Sequence, residues 1–189
     1  MNLAQASAAT ALEAVNALYG SATLTLYDGA IPATPETATD GQAALVAFIF
    51  ANPAFAAPQF STLQEVAAAS FVSPSVTPTA SGTACFARAV ASANDAVLAD
   101  YTVGASWQPA AAVMAGQYVV NGGNSYLCLS AGTTGTSGGP TGVSTSIADG
   151  TAVWSFNNVG STDIVMATTS VLKPVPVTVT NLTHAFPAV

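Results

Sequence analysis

Few residues in this chain are able to do chemistry, and their spacing does not gather them. His184 is the single histidine, so any His-centred catalytic set would depend on it alone. It lies in the last strand pattern beside Asn181 and Thr183 and reads as a structural or exposed histidine. Cys85 and Cys128 have no Cys or His partner at metal-ligand spacing. Both sit in apolar contexts and read as free, buried thiols, which fits assembly in a reducing cytoplasm. They could pair only if their two parts of the chain packed Cβ to Cβ. Asp28, Asp40, Asp95 and Asp100 could offer oxygens to a calcium ion. Each lies in or near a turn, where aspartate is favoured for backbone reasons. The Gly-rich loop at 132–142 has no lysine and no strand-to-helix context, so it does not read as a phosphate cradle. No two carboxylates form a recognisable acid/base pair. We assign no catalytic, cofactor or metal residue from the sequence, and the chain reads as a non-enzyme.

What remains is aromatic chemistry. Trp107 and Trp154, the two tryptophans, bracket the stretch 107–157. Tyr118 and Tyr126 lie between them. Two roles are open to the four rings: the core of a small β module, or stacking on a sugar ring or partner protein.

The elements that position these rings follow from pattern. Gly116–Val120 and Ser125–Leu129 flank Asn121-Gly122-Gly123-Asn124, a strong hairpin signal. Residues 130–146 read as a flexible Gly/Thr/Ser loop, and Asp149-Gly150 turns into a third strand at 151–156. Turn residues stand on both sides of the stretch, Gly104–Ser106 before it and Gly160–Thr162 after it. Deleting 107–157 would join them as one hairpin loop. The sequence therefore predicts a three-stranded module, 107–157, inserted into a β-hairpin of a host formed by 1–106 and 158–189.

The host pattern is mainly β. Residues 2–19 are Ala-rich, with Leu12, Val15 and Leu18/Tyr19 at helical spacing, which predicts a short N-terminal helix ending at Gly20. Ala22–Tyr27 alternates as a half-buried strand, and Ala43–Phe50 is a second strand broken by Asn52-Pro53. Phe71-Val72 reads as a short strand. Gly82–Ala91 is another, with Ala84, Phe86, Arg88 and Val90 on its apolar-rich face. Asn94-Asp95 turns it into Ala96–Val103. Ser161–Thr168 and Pro174–Phe186 complete the set. Seven or more short strands with regular turn signals predict a β-sandwich or jelly-roll-like host.

Composition narrows the partners. Charged residues make up 6% of the chain, against the roughly 25% usual for soluble domains. Arg88 and Lys173 are the two cations, too few for a basic patch, so nucleic acid and anionic membrane are poor partners. No segment has the roughly 20 consecutive apolar residues of a membrane helix. A surface built from Ala, Ser, Thr, Gly and Asn fits one largely covered by other subunits, a homo-oligomer included.

Two stretches resemble known families. Tyr27-Asp28-Gly29, Pro32-Ala33, Asn52-Pro53-Ala54-Phe55 and Gly82–Ala89 (GTACFARA) resemble the pattern of small tailed-phage and prophage virion proteins. The likeness covers most of 10–106 and 160–188. Trp107, Gly116, Val119, Tyr126, Gly132–Gly135, Pro140–Gly142, Asp149–Thr151 and Trp154 are similar to short Trp/Tyr modules of phage fibres, head fibres and chitin-binding domains. The resemblance implies a structural virion protein assembled in the host cytoplasm. A capsid decoration, cement or head-fibre component that packs on other virion proteins is the first reading. A tail or tail-fibre-associated protein is the second. A carbohydrate-binding module for a cell-surface glycan, contacted through Trp107, Tyr118, Tyr126 and Trp154, is the third.

Overall fold

The computed structural model describes residues 3–61, 64–159, 162–179 and 181–187. One helix, α1 (Gln5–Ala17), precedes the strands β1 (Thr23–Tyr27), β2 (Ala44–Phe55), β3 (Gln59–Ser61), β4 (Gln64–Phe71), β5 (Ser75–Val76), β6 (Gly82–Thr83), β7 (Phe86–Val90) and β8 (Val97–Ser106). Then come β9 (Ala112–Val113), β10 (Tyr118–Asn121), β11 (Asn124–Ser130), β12 (Gly132–Thr133), β13 (Ile147–Asp149) and β14 (Ala152–Val159). The chain ends with β15 (Ile164–Met166), β16 (Ser170–Val171), β17 (Val177–Thr178) and β18 (Asn181–Pro187).

The mainly β class expected from the pattern is what forms. Its host strands close on themselves: β8, β15, β18, β4, β2, β1 and β7 pair in that order, and β7 pairs back to β8. The arrangement is therefore barrel-like, with a continuous ring of ladders in place of two facing sheets. Closure is available because β8 is long. Its first part pairs with β7 from Val97 to Thr102, and its last part is free to pair elsewhere. Alternation along the strands fills the interior with Leu24 and Leu26, Phe48 and Phe50, Ala87 and Ala89, Tyr101 and Val103, Ile164, and Leu182, all buried in one core.

Several local expectations shift. β2 runs on to Phe55 through the cis Asn52–Pro53 bond, where a break was expected. Its register with β4 is interrupted between Phe50 and Phe55, so Pro53 sits where no ladder donor is needed. The predicted strand 82–91 divides into β6 and β7, because Ala84 N–H turns aside to Thr169 O. Within β7 the inward face is Ala87 and Ala89. Phe86 and Arg88 point outward and are buried there: Tyr27 stacks on Phe86 at 5.1 Å, and Arg88 donates to Thr37 O. In α1 the buried face is Ala8, Leu12 and Asn16, while Val15 and Leu18 are exposed. Of the expected stripe Leu12 and Tyr19 are buried, and Ala8 and hydrogen-bonded Asn16, one turn either side of Leu12, are buried in place of Val15 and Leu18. Ser161 and Thr180, parts of the last two expected strands, lie outside the described residues.

The largest correction concerns the 107–157 stretch. It is not set into a hairpin: β8 and β15, the host strands on either side of it, are parallel, with Val103 beside Ile164 and Ala105 beside Met166. Parallel neighbours need a crossover of a dozen or more residues. The stretch supplies that crossover. It holds a separate small core of Val113, Val119, Tyr126, Cys128, Ala152 and Trp154. It extends the main sheet by four strands where three were expected, in the order β8, β10, β11, β14, β13. β10 runs parallel to the end of β8, with Val119 beside Ala105. The β10–β11 hairpin forms as expected, and Gly122 and Gly123 adopt φ of 56° and 79° in its two-residue turn.

Candidate functional site

The four aromatics are placed by the module's sheet. Trp154 on β14 is fully buried at the centre of the small core, with Tyr126 of β11 beside it. Tyr126 meets Phe156 edge-on, with ring centroids 6.1 Å apart, and its hydroxyl donates to Gly142 O at 3.2 Å. Tyr118 is buried as well, on the opposite face of β10 from Val119, and burial raises its phenol pKa. Trp107 is half-buried. Its Nε1–H donates to Asp149 Oδ2 at 2.8 Å, while Asp149 Oδ1 accepts from Gly135 N–H at 2.7 Å. A Cβ on Gly139 would come within 2.9 Å of the Trp107 ring, so the loop backbone lies directly against the indole. Three of the four rings thus present no face to solvent, and the fourth holds the loop. They are packing residues in this fold, a role the sequence had left open beside ligand contact.

The same contacts revise the Gly/Thr/Ser segment 130–146, expected to be flexible. Thr134 Oγ1 donates to Gln108 O at 2.7 Å and accepts from Ala111 N–H at 2.8 Å. Asn121 Nδ2 donates to Gly138 O and Pro140 O. Gly150, at φ of 66°, passes so close to Thr133 O that a Cβ would collide with it. The glycines here are spent on close approach and turning rather than on looseness.

Where module meets barrel there is an uncharged cleft of about 320 Å³, lined in part by Thr83, Ser106, Gln108, Met114, Gln117 and Ser170. Gln117, buried, spans the junction: its Nε2 donates to Thr169 Oγ1 at 2.8 Å and its Oε1 accepts from Met114 N–H.

His184 belongs to the barrel and not to the module. Half-buried on β18, it closes a polar chain through the barrel: Nδ1 lies 2.7 Å from Asn16 Oδ1 of α1, and Nε2 lies 2.8 Å from the Tyr101 hydroxyl of β8. Tyr101 in turn donates to the Tyr19 hydroxyl at 2.8 Å. Phe55 stacks on the imidazole at 4.1 Å, and Tyr19 meets it edge-on at 4.9 Å. Burial pushes the His184 pKa down to about 4 and the Tyr101 pKa far up. Both ring nitrogens are thus committed to side chains of other elements, Nδ1 to the Asn16 amide oxygen and Nε2 to the Tyr101 hydroxyl. Sequence separation hides this cluster, since its members come from residues 16, 19, 101 and 184. The signal available was parity: in the alternating last strand His184 shares a face with Leu182, which is buried.

The other candidates are dispersed. Asp100 is committed to Arg88, with Nε to Oδ1 and Nη2 to Oδ2 both at 2.7 Å, a buried two-point ion pair across β7 and β8. Asp28 accepts from Ala43 N–H, Asp95 occupies a turn at φ of 54°, and Asp40 is exposed. Among the described residues no three His, Cys, Asp or Glu side chains gather to hold a metal ion. Cys85 and Cys128 are free and buried. Burial pushes the Cys85 thiol up to about 11, away from the thiolate that reactivity needs. No helix among the described residues is long and apolar enough to cross a membrane, which does not bear on strands. Comparison with family models, curated proteins and solved structures returns no match.

Proposed function

We propose that the chain is a structural protein of a tailed-phage particle, a capsid decoration, cement or head-fibre component that works by packing on other subunits. The observation that carries the packing mechanism is the near absence of cations on its surface, which leaves its exposed acids Glu13, Glu36, Asp40, Asp95 and Asp163 almost nothing to pair with. Of its two cations, Arg88 is buried against Asp100, which leaves Lys173. Apolar side chains stand out in its place: Leu18, Val72, Val143, Leu172 and Val175 are each at least 59% exposed. Such a surface mates through apolar and small polar contacts and gains little from ion pairs. The virion assignment itself rests on the sequence resemblance. The tail-associated reading shares the same mechanism. The glycan reading is the weaker, because the rings that would stack on a sugar are spent on the module core.

Electron microscopy of particles made with and without the gene tests the assignment. Loss of a regular lattice of density on the head is the expected result. Loss confined to the tail or to one vertex transfers the protein there, and particles unchanged in density refute the virion reading.

A further inference from the structure

We propose that this chain assembles head to tail with copies of itself, the turn Leu172–Val175 of one copy seating in a cavity between α1 and the end of β2 of the next. This names a partner and a contact for the packing mechanism above, and it stands whether or not the particle assignment does.

The cavity, of about 370 Å³, is lined by Glu13, Asn16 and Ala17 of α1 and by Pro53, Phe55 and Pro58 of β2 and the bend after it. Its walls are mostly apolar, and two polar groups on it go unanswered. Asn16 is 8% exposed; its Oδ1 is taken by His184, while its Nδ2 is buried with no partner among the described residues. Glu13 is exposed and forms no ion pair among the described residues. An occupant that answers both brings an uncharged carbonyl oxygen for Nδ2, a cation for Glu13 and apolar side chains for the walls.

The turn has all three. Val175 N–H donates to Leu172 O at 2.6 Å and closes it around Lys173 and Pro174. All four residues are exposed, Leu172 and Val175 each at 59%. The carbonyls of Lys173 and Pro174 accept from no backbone N–H among the described residues. With Arg88 bound to Asp100, Lys173 is the one cationic side chain left to meet Glu13.

A copy does not fill its own cavity. The turn is fixed at the Leu45 end of β2: Lys173 N–H donates to Ser81 Oγ, and a Cβ on neighbouring Gly82 would lie 2.8 Å from the Leu45 side chain. The cavity begins at the far end, with Asn52, about 23 Å along the strand. Turn and cavity are different surfaces, so the contact is heterologous and repeats from copy to copy, as a closed ring or a filament. Burial of Leu172 and Val175 supplies the adhesion, and the exposed ion pair sets the register. Each copy carries a net charge of −7, a repulsion that salt screens, so association should hold or strengthen as ionic strength rises.

Sedimentation velocity of the full-length protein over a range of concentrations is the test. The expected species are multiples of 18.6 kDa. Lys173→Glu and Glu13→Lys each set like charges against one another and should weaken self-association about 10-fold or more; both together in one chain restore opposite charges and should recover most of it. Ala57→Trp, at another lining position, fills the cavity and should abolish association. The three positions are exposed, so an unchanged melting temperature is expected and confirms that each variant is folded. A protein that stays monomeric at its highest soluble concentration would overturn the proposal. So would association untouched by either charge reversal, or a double reversal no better than the weaker single one. If Ala57→Trp lowers the melting temperature, the charge reversals still decide.

Discussion

Excising residues 107–157 and joining Ser106 to Asn158 is the perturbation that most directly tests the topology. If the stretch were set in a hairpin tip, the host would keep its fold. The parallel pairing of β8 and β15 predicts otherwise. After excision six residues, 158–163, separate the end of β8 from Ile164. They would have to leave Ser106, return to the level of Val103, cross a face of the sheet and reverse direction again. A parallel connection normally needs about twice that length. β15 would lose its place between β8 and β18, and the ring would open there. Ile164 and Met166, now 0% and 4% exposed, would lose their burial. At about 1.5–3 kcal/mol for each side chain the loss is about 3–6 kcal/mol, a large share of the roughly 5–15 kcal/mol that holds a typical domain. In a chain of this size that corresponds to a melting temperature lower by about 6–24 °C. Circular dichroism melts with hydrogen exchange across residues 164–166 give the readout. An excised protein that melts cooperatively within about 3 °C of the parent, with those amides still protected, would refute the crossover argument.

Other expectations are local. Asp100→Ala should cost about 3–5 kcal/mol in denaturant unfolding, because it strands the buried Arg88 guanidinium without its carboxylate. Trp154→Ala should destabilise the module by about 3–5 kcal/mol. Trp154→Phe should cost much less, since the indole N–H it removes is buried without a partner; equal losses in the two variants would contradict this. Gly150→Ala should exceed the usual cost of about 1 kcal/mol for a left-handed alanine, because its Cβ collides with Thr133 O; unchanged exchange in β12 and β13 would count against it. Raising salt to about 0.5 M should leave the protein on its assembly, since few ion pairs are available to screen; release in a sedimentation assay would argue against packing through uncharged surface.

Much of this molecule can be read from the chain alone. Its β class, the β10–β11 turn, the β7–β8 hairpin and the small Trp-centred core all follow from alternation, turn chemistry and short-range spacing. The poverty of charge, and with it the kind of surface, is composition. Tertiary structure alone decided how the strands are ordered. Alternation says that Leu24, Val103 and Ile164 face a core, but it carries no information on whether β15 lies parallel or antiparallel to β8. Both directions bury the same alternate residues, so the 107–157 stretch looks like an optional insert in sequence and proves to be the connection itself. The fate of Asn16, Tyr101 and His184 was hidden for a related reason. A polar side chain is tolerated inside only when a partner distant in sequence meets it, and that meeting is a property of ring closure and of where α1 packs, not of any local pattern.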